Sequence, residues 1–498
     1  MTIISNVLLS LVLSSLMFSN DNAFSSDKTS VGPFVVALTS PVNTLEPANI
    51  TDANEAIVTS QIFDNIFEYS MNNGLQPGLA RSFSLSPDGL KMKVTLRPSV
   101  KFSDGAVMTA QDVADSLTYS IFTLGASARW AFGDLKGFEE FVLSHKKTGL
   151  LGINVLNSTE IEFLFKRPFS QFAKVLAAPY FAISKNKGNQ FLGTGPYILE
   201  HKTKNDVTLI RNLYSEKKEQ ILEKVRFQVI PSQEEINKKI ASHEVDLASY
   251  HATLRKDPPG MTFIPYKSMS TALLVMNVKS REFSSAETRC SFASSFVEAS
   301  AKNGYMVKPL QDSLAYSWSV LKLTQPASSI GRVANLTPIA VYYSTNFAGI
   351  TGDKSVDLKK DLARRGFDVS FVDSKSKNFY KSLVDGKFVA ALAGFSPDYL
   401  DPDAYLTPML GTGQQFNWSS FSNLTIDKLL SLSRQVQDKQ ARRLIYDEVF
   451  TLLGQTCPVQ FLGSTEAGIL LNSQWSLEGV NGFGFHSIRL AQLKSKEK

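Results

Sequence analysis

The 498-residue chain reads as an α/β protein of more than one lobe, and three observations predict this. A single hydrophobic core stops growing at roughly 250–300 residues, so a chain of this length needs two or three. Within it, PIAVYY (338–343), DLKKDLARRG (357–366), FDVSFV (367–372) and FVAALAGF (388–395) alternate as strand, helix, strand, strand. That rhythm argues for a lobe built on a mainly parallel sheet. Finally, no Gly/Ser-rich or Pro-rich linker divides the chain, so its lobes belong to one compact body.

Taken in order, residues 3–18, IISNVLLSLVLSSLMF, are apolar and are followed by the small polar run SNDNAFSS. Sixteen residues fall short of the roughly 20 that span a bilayer. A signal peptide over residues 1–25 is expected, with cleavage near Ala23 to Ser26. The segment before the apolar run has no Lys or Arg, so an uncleaved anchor is the alternative. No cysteine lies near the cleavage region, which argues against a lipid anchor. The expectation is an exported, periplasmic protein.

PFVVALTS (33–40) reads as a buried strand, and NEAIVTSQIFDNIFEY (54–69) as a helix, with Ile57, Ile62 and Ile66 near helical spacing. In SFSLSPDGLKMKVTL a hairpin is expected: Ser86-Pro87-Asp88-Gly89 supplies the turn, and KMKVTL alternates polar with apolar. Thr109 and Asp112 form a capping-box pattern that opens a helix in VADSLTYSIF. VTLIRN, VRFQVI, VDLASY and TALLVMN read as strands, and EEINKKIASHE as a helix. Towards the C-terminus, TIDKLLSLSRQVQ and KQARRLIYDEVFTLLGQ read as two further helices.

Composition excludes several functions. The net charge of +6 is spread along the chain rather than gathered in Lys/Arg blocks, which gives nucleic-acid binding no support. There is no G-x-S-x-G elbow, and His145, His201, His243, His251 and His486 show no metal-binding spacing. GTGPY lacks the third glycine of a dinucleotide fingerprint, and Pro196 would break the helix that should follow. Gly193 and Gly195 are read as letting the chain bend. No catalytic residue, metal site or cofactor is expected. Cys290 and Cys457, 167 positions apart, fit either a disulfide of an oxidising compartment or two buried thiols.

The chain is chemically most pointed at AGFSPDYLDPDAY (393–405), which sets Asp398, Asp401 and Asp403 among aromatic side chains after a buried strand. Several passages in order resemble the extracytoplasmic oligopeptide- and dipeptide-binding proteins of ABC transporters, solute-binding family 5. They are residues 72–117, GTGPYILE with VTLIRNLYSE, LLVMNVKSREFSSAETRCSFASSF (273–296), the 393–405 stretch, and FSNLTIDKLL with ARRLIYDEVFTLL. Together they extend over about residues 34–470.

The resemblance implies a two-lobed periplasmic-binding-protein-like fold (type II, class C) with an extra domain inserted in lobe I. Lobe I would comprise 33–55, 169–265 and 471–498, the extra domain 56–168, and lobe II 266–470. It also implies that Asp398 pairs with the α-ammonium of a bound peptide. An ammonium about 4 Å from a carboxylate gains roughly 4 kcal/mol at an effective dielectric near 20, less the cost of desolvation. Phe395 would wall the pocket, with Tyr399, Asn417 and Trp418 as further candidates, while Asp401 would hold the loop through an Asp-Pro turn.

The implied partners are a short peptide and the permease subunits of a transporter, the protein itself being a monomer that meets the membrane only through them. AALAGF carries Leu392 where some oligopeptide binders have an arginine, and residues 297–337 match poorly. A non-peptide solute such as a sugar, a metal complex or haem is therefore the alternative on the same fold. A hydrolase and a signalling receptor are rivals from other classes.

Overall fold

A computed structural model describes residues 32–498 except 71–73, 147–148, 189, 217–221, 252–257, 267–269, 304–337, 345–352, 375, 398, 400, 465–466, 478–487 and 497–498. Two mixed sheets and a smaller antiparallel one organise it. The first has seven strands in the order Tyr197–Lys202, Asp206–Arg211, Lys224–Val229, Phe34–Leu38, Leu247–His251, Ala467–Asn472 and Met261–Tyr266. Phe34–Leu38 sits at its centre, parallel to both neighbours. Its alternating residues Phe34, Val36 and Leu38 join Ile57, Val225, Phe227, Ile469 and Leu471 in one core.

The second sheet orders Val369–Ser374, Ile339–Ser344, Ala390–Phe395, Thr271–Met276 and Val459–Ser464. The three strands that carry the predicted rhythm are parallel. The last two add antiparallel, so the sheet is mixed rather than mainly parallel. Antiparallel strands need no helical crossover. Thr271–Met276 follows a strand of the first sheet by a few residues, and Val459–Ser464 precedes one by a few residues. The helix Ala286–Lys302 packs Phe292 and Phe296 on one face of this sheet, together with Leu358 and Leu362.

The third sheet orders Ala80–Leu85, Lys91–Leu96, Glu160–Leu164 and Ile153–Asn157, all antiparallel. Local chemistry accounts for its start. Asp88 accepts from Ser86 Oγ and from Leu90 N, and Gly89 takes the left-handed φ of 67° that the turn requires. Lys91–Leu96 then buries Met92, Val94 and Leu96 on alternate positions. The capping box forms as read: Thr109 N donates to Asp112 Oδ2 at 2.8 Å and Asp112 N to Thr109 Oγ1 at 3.3 Å, opening the helix Ala110–Leu124.

One expected helix is too long. Residues 54–69 form a helix only over Ala53–Ile62, and Phe67–Ser70 is a strand. The segment after Ile62 is buried on nearly all positions, so its apolar residues carry no period that separates helix from strand. The GTG turn meets the helix end. Gly195 N donates to Ile62 O at 2.9 Å, and Thr194 Oγ1 to Asp64 Oδ2 at 2.9 Å.

The two glycines are thus needed for close approach, not for a bend with positive φ. A Cβ on Gly193 would lie 2.0 Å from Ile62 O. Gly193→Ala is therefore expected to lower stability by about 1–3 kcal/mol or more, since backbone must move. Urea unfolding at neutral pH measures it, and an unchanged midpoint would refute this account.

Candidate functional site

The strand Ala390–Phe395 runs buried through the second sheet and delivers the loop 396–402, followed by the helix Asp403–Leu410. Ser396 at its start shares a hydroxyl–hydroxyl hydrogen bond with Ser270, beside the neighbouring strand. Asp398, the expected ligand anchor, and Leu400 lie outside the described residues. The other two acids are described and are fully buried. An isolated buried carboxylate is costly, so each must find cations.

Asp401 finds two. Arg442 donates through Nη2 to Oδ1 at 2.6 Å and through Nη1 to Oδ2 at 3.1 Å, and Lys174 Nζ donates to Oδ2 at 2.7 Å. Tyr446 Oη and Asp403 N complete its shell at 3.3 and 3.1 Å. Burial pushes this carboxyl up, but Lys174 and Arg442 outweigh burial and hold it well below the usual carboxylate range.

Asp403 accepts from Arg434 Nε at 2.9 Å and from the hydroxyls of Tyr399 and Thr407. Arg434 in turn reaches Asp134 Oδ2 at 3.5 Å and donates through Nη2 to Trp130 O at 2.9 Å. Burial opposes the Arg434 charge, but Asp403 overrides it and keeps the guanidinium protonated. The end of the loop is therefore tied to the segment 130–174 directly by Asp401, and the start of the following helix by Asp403 through Arg434.

The expected site residues fall into two groups. Phe395, 8% exposed, and Trp418, 6% exposed, belong to one aromatic cluster with Phe416 and Tyr405. The Trp418 Nε1 is buried and has no hydrogen-bond partner among the described residues, whereas buried indole N–H groups ordinarily find one. Tyr399 and Asn417 are committed internally. Tyr399 stacks on Trp130 with centroids 6.0 Å apart and donates to Asp403. The Asn417 amide donates to Gly411 O and Phe421 O and accepts from Phe421 N and Ser419 Oγ, so it shapes the loop 411–421.

Beside this cluster lies a cavity of about 320 Å³ lined by Ser127, Arg129, Trp130, Gln414, Gln415 and Phe416, among others. Trp130 links it to Tyr399, and Phe416 links it to Phe395 and Trp418. Aromatic walls with a few convergent polar groups are the usual make-up of a small-molecule site. Among the described residues no group of three or more His, Cys, Asp and Glu could hold a metal ion. Nor is any helix of the described residues long and apolar enough to cross a membrane.

Sequence reasoning missed Lys174, Arg434, Arg442 and Trp130. For the arginines a signal existed. Arg442 shares a helical face with the buried Tyr446, Val449 and Leu453, and Arg434 with Ile426 and Leu430. An arginine at a core position of an amphipathic helix needs a buried acid. For Lys174 and Trp130 the sequence carries no such mark.

The profile of the bacterial extracellular solute-binding proteins, family 5 (middle), matches residues 74–294. The periplasmic oligopeptide-binding protein OppA of Escherichia coli K12 is 23% identical over 457 residues, covering 82% of this chain and 82% of that protein. The periplasmic binding protein DppA of Helicobacter pylori, solved in complex with the peptide STSA, matches with a TM-score of 0.74 at 19% identity. That match covers 94% of this chain and 98% of that one. NikZ of Campylobacter jejuni, solved with Ni(L-His), matches with a TM-score of 0.75 at 17% identity, covering 93% and 99%.

Proposed function

We propose that this chain, whose residues 74–294 match the profile of the bacterial extracellular solute-binding proteins of family 5, is a member of that family that captures a short peptide between its lobes and delivers it to the permease of an ABC transporter. It binds and releases and carries out no reaction. The observation that carries this reading is the loop 396–402. Its Asp401, and Asp403 at the start of the helix that follows, are consumed by buried cations, and the loop begins beside the aromatic cluster of Phe395, Phe416 and Trp418. Recognition of a ligand ammonium then falls to Asp398. Phe395 and Trp418 wall the ligand, and the buried Trp418 indole N–H, which has no partner among the described residues, would donate to a ligand carbonyl once the site opens to it. Tyr399 and Asn417 serve by holding the two loops in shape.

Export follows on this reading. A disulfide joins Cys290 to Cys457, which supports an oxidising compartment. Ligand affinity for the closed state shifts an open–closed balance between lobes.

Native mass spectrometry of the purified protein tests the reading, with wild type and Asp398→Ala side by side. Masses that fragment as peptides are expected with the wild type. Their occupancy should fall by about tenfold or more in the variant, as the loss of a partly desolvated ion pair implies. A single non-peptide mass that survives the substitution would sink the ammonium anchor and favour the non-peptide alternative.

A further inference from the structure

Asp401 is over-supplied with cations. Arg442 matches its charge through two hydrogen bonds, and Tyr446 and the Asp403 backbone N–H both add to Oδ1, so Lys174 is the second donor to Oδ2. Arg442 and Tyr446 both stand on the helix Lys439–Thr456. Lys174 comes from elsewhere. It lies on the short helix Phe172–Val175, whose Phe172 packs edge-on to Phe132, Phe163 and Phe165 beneath the four-stranded sheet. Its side chain is 26% exposed, so water could satisfy its ammonium without Asp401. Beyond its charge, the Lys174 contact adds a tie between two separate parts of the chain.

Other ties run the same way. Tyr399 stacks on Trp130, Arg434 bridges Asp403 to Trp130 O and Asp134, and Ser170 N donates to Arg434 O at 2.8 Å. All of them register the loop 396–402 and its supporting helices against residues 130–174. Of these groups Lys174 is the one whose side chain bonds Asp401 itself, and its removal leaves the Arg442–Asp401 contact in place.

We propose that Lys174 is a positioning residue for ligand capture: by holding Asp401 against the segment 172–175, it sets the loop from which a ligand ammonium is recognised. The inference rests on the reading of Asp398 above, three positions before Asp401. Lys174 does not touch the ligand. It restricts the loop, and a pre-set carboxylate loses less freedom when it pairs.

The test measures discrimination rather than affinity alone. The full-length protein is dialysed to equilibrium against a pool of random tripeptides and against the same pool N-acetylated, and bound peptide is quantified by mass spectrometry. Wild type should prefer the free-amine pool. Lys174→Met should shrink that preference by about tenfold, the effect of losing one charge-assisted hydrogen bond. Lys174→Arg, which keeps the cation, should retain it. Lys174→Gln carries the same expectation as the methionine variant, should the latter not fold.

A purely structural role would scale both pools together and leave their ratio unchanged. That outcome, or a wild-type ratio in both uncharged variants, overturns the inference while the peptide reading stands. A wild-type protein that does not distinguish the two pools overturns the ammonium anchor itself, and this inference with it.

Discussion

Arg442→Met is expected to lower stability by about 3–5 kcal/mol at pH 7, because it strips the two-pronged partner from a fully buried carboxylate. Lys174 remains on Oδ2 and draws the cost towards the lower end of that range. The effect should depend on pH in a defined direction. In the wild type the Asp401 carboxyl lies below its unfolded value, despite burial, through Lys174 and Arg442. Its contribution is therefore complete above about pH 5 and is lost as the pH falls below the ordinary carboxylate value near 4. Without Arg442 only Lys174 offsets burial, so the Asp401 carboxyl should rise from its wild-type position.

The gap between wild type and variant should accordingly be widest at neutral pH and narrow towards pH 3. Urea unfolding at both pH values measures it. Arg443→Met is the control: its neighbouring guanidinium pairs with Asp447 at 3.9 Å on an exposed face, and the change should stay within about 0.5 kcal/mol. Equal losses in the two variants, or a gap that does not narrow in acid, would contradict a buried pair.

Removing the disulfide should have an effect of similar size by a different route. Cys290 stands on the helix Ala286–Lys302 and Cys457 caps the helix Lys439–Thr456, with 167 positions between them. Closing a loop of that length restricts the unfolded chain by up to about 5 kcal/mol in the loop-entropy account, and residual structure in the unfolded state reduces it. The native contacts do not depend on the bridge alone. Arg289 Nε donates to Thr456 O at 2.8 Å, which holds the same two elements together.

The Cys290→Ser/Cys457→Ser protein should thus fold to the same structure and lose about 3–5 kcal/mol. Reductant should lower the urea midpoint of the wild type and leave the double variant unmoved. A loss under about 1 kcal/mol would mean that the bridge constrains little in the unfolded chain.

The two expectations show where the sequence was readable and where it was not. The Ser86–Gly89 turn, the Thr109–Asp112 capping box and the strand Ala390–Phe395 rest on residues within a few positions of one another, and each formed where its chemistry is written. The pairing of Cys290 with Cys457 could not be read, because spacing along the chain carries no distance in space. Nor could the reason for Gly193, whose constraint is the carbonyl of Ile62, far earlier in the chain.

Of the candidate site, the sequence by itself determined that a buried strand ends in an acid-rich loop walled by aromatic residues, and its pattern pointed to a solute-binding protein. Only the tertiary structure decided which acids are sealed inside. Asp401 and Asp403 differ from any other loop acids solely in what reaches them, Lys174, Arg434 and Arg442, from segments that the sequence leaves unconnected. A carboxylate's role is set by its solvation and its counter-charges, and both are properties of the folded packing rather than of its neighbours in the chain.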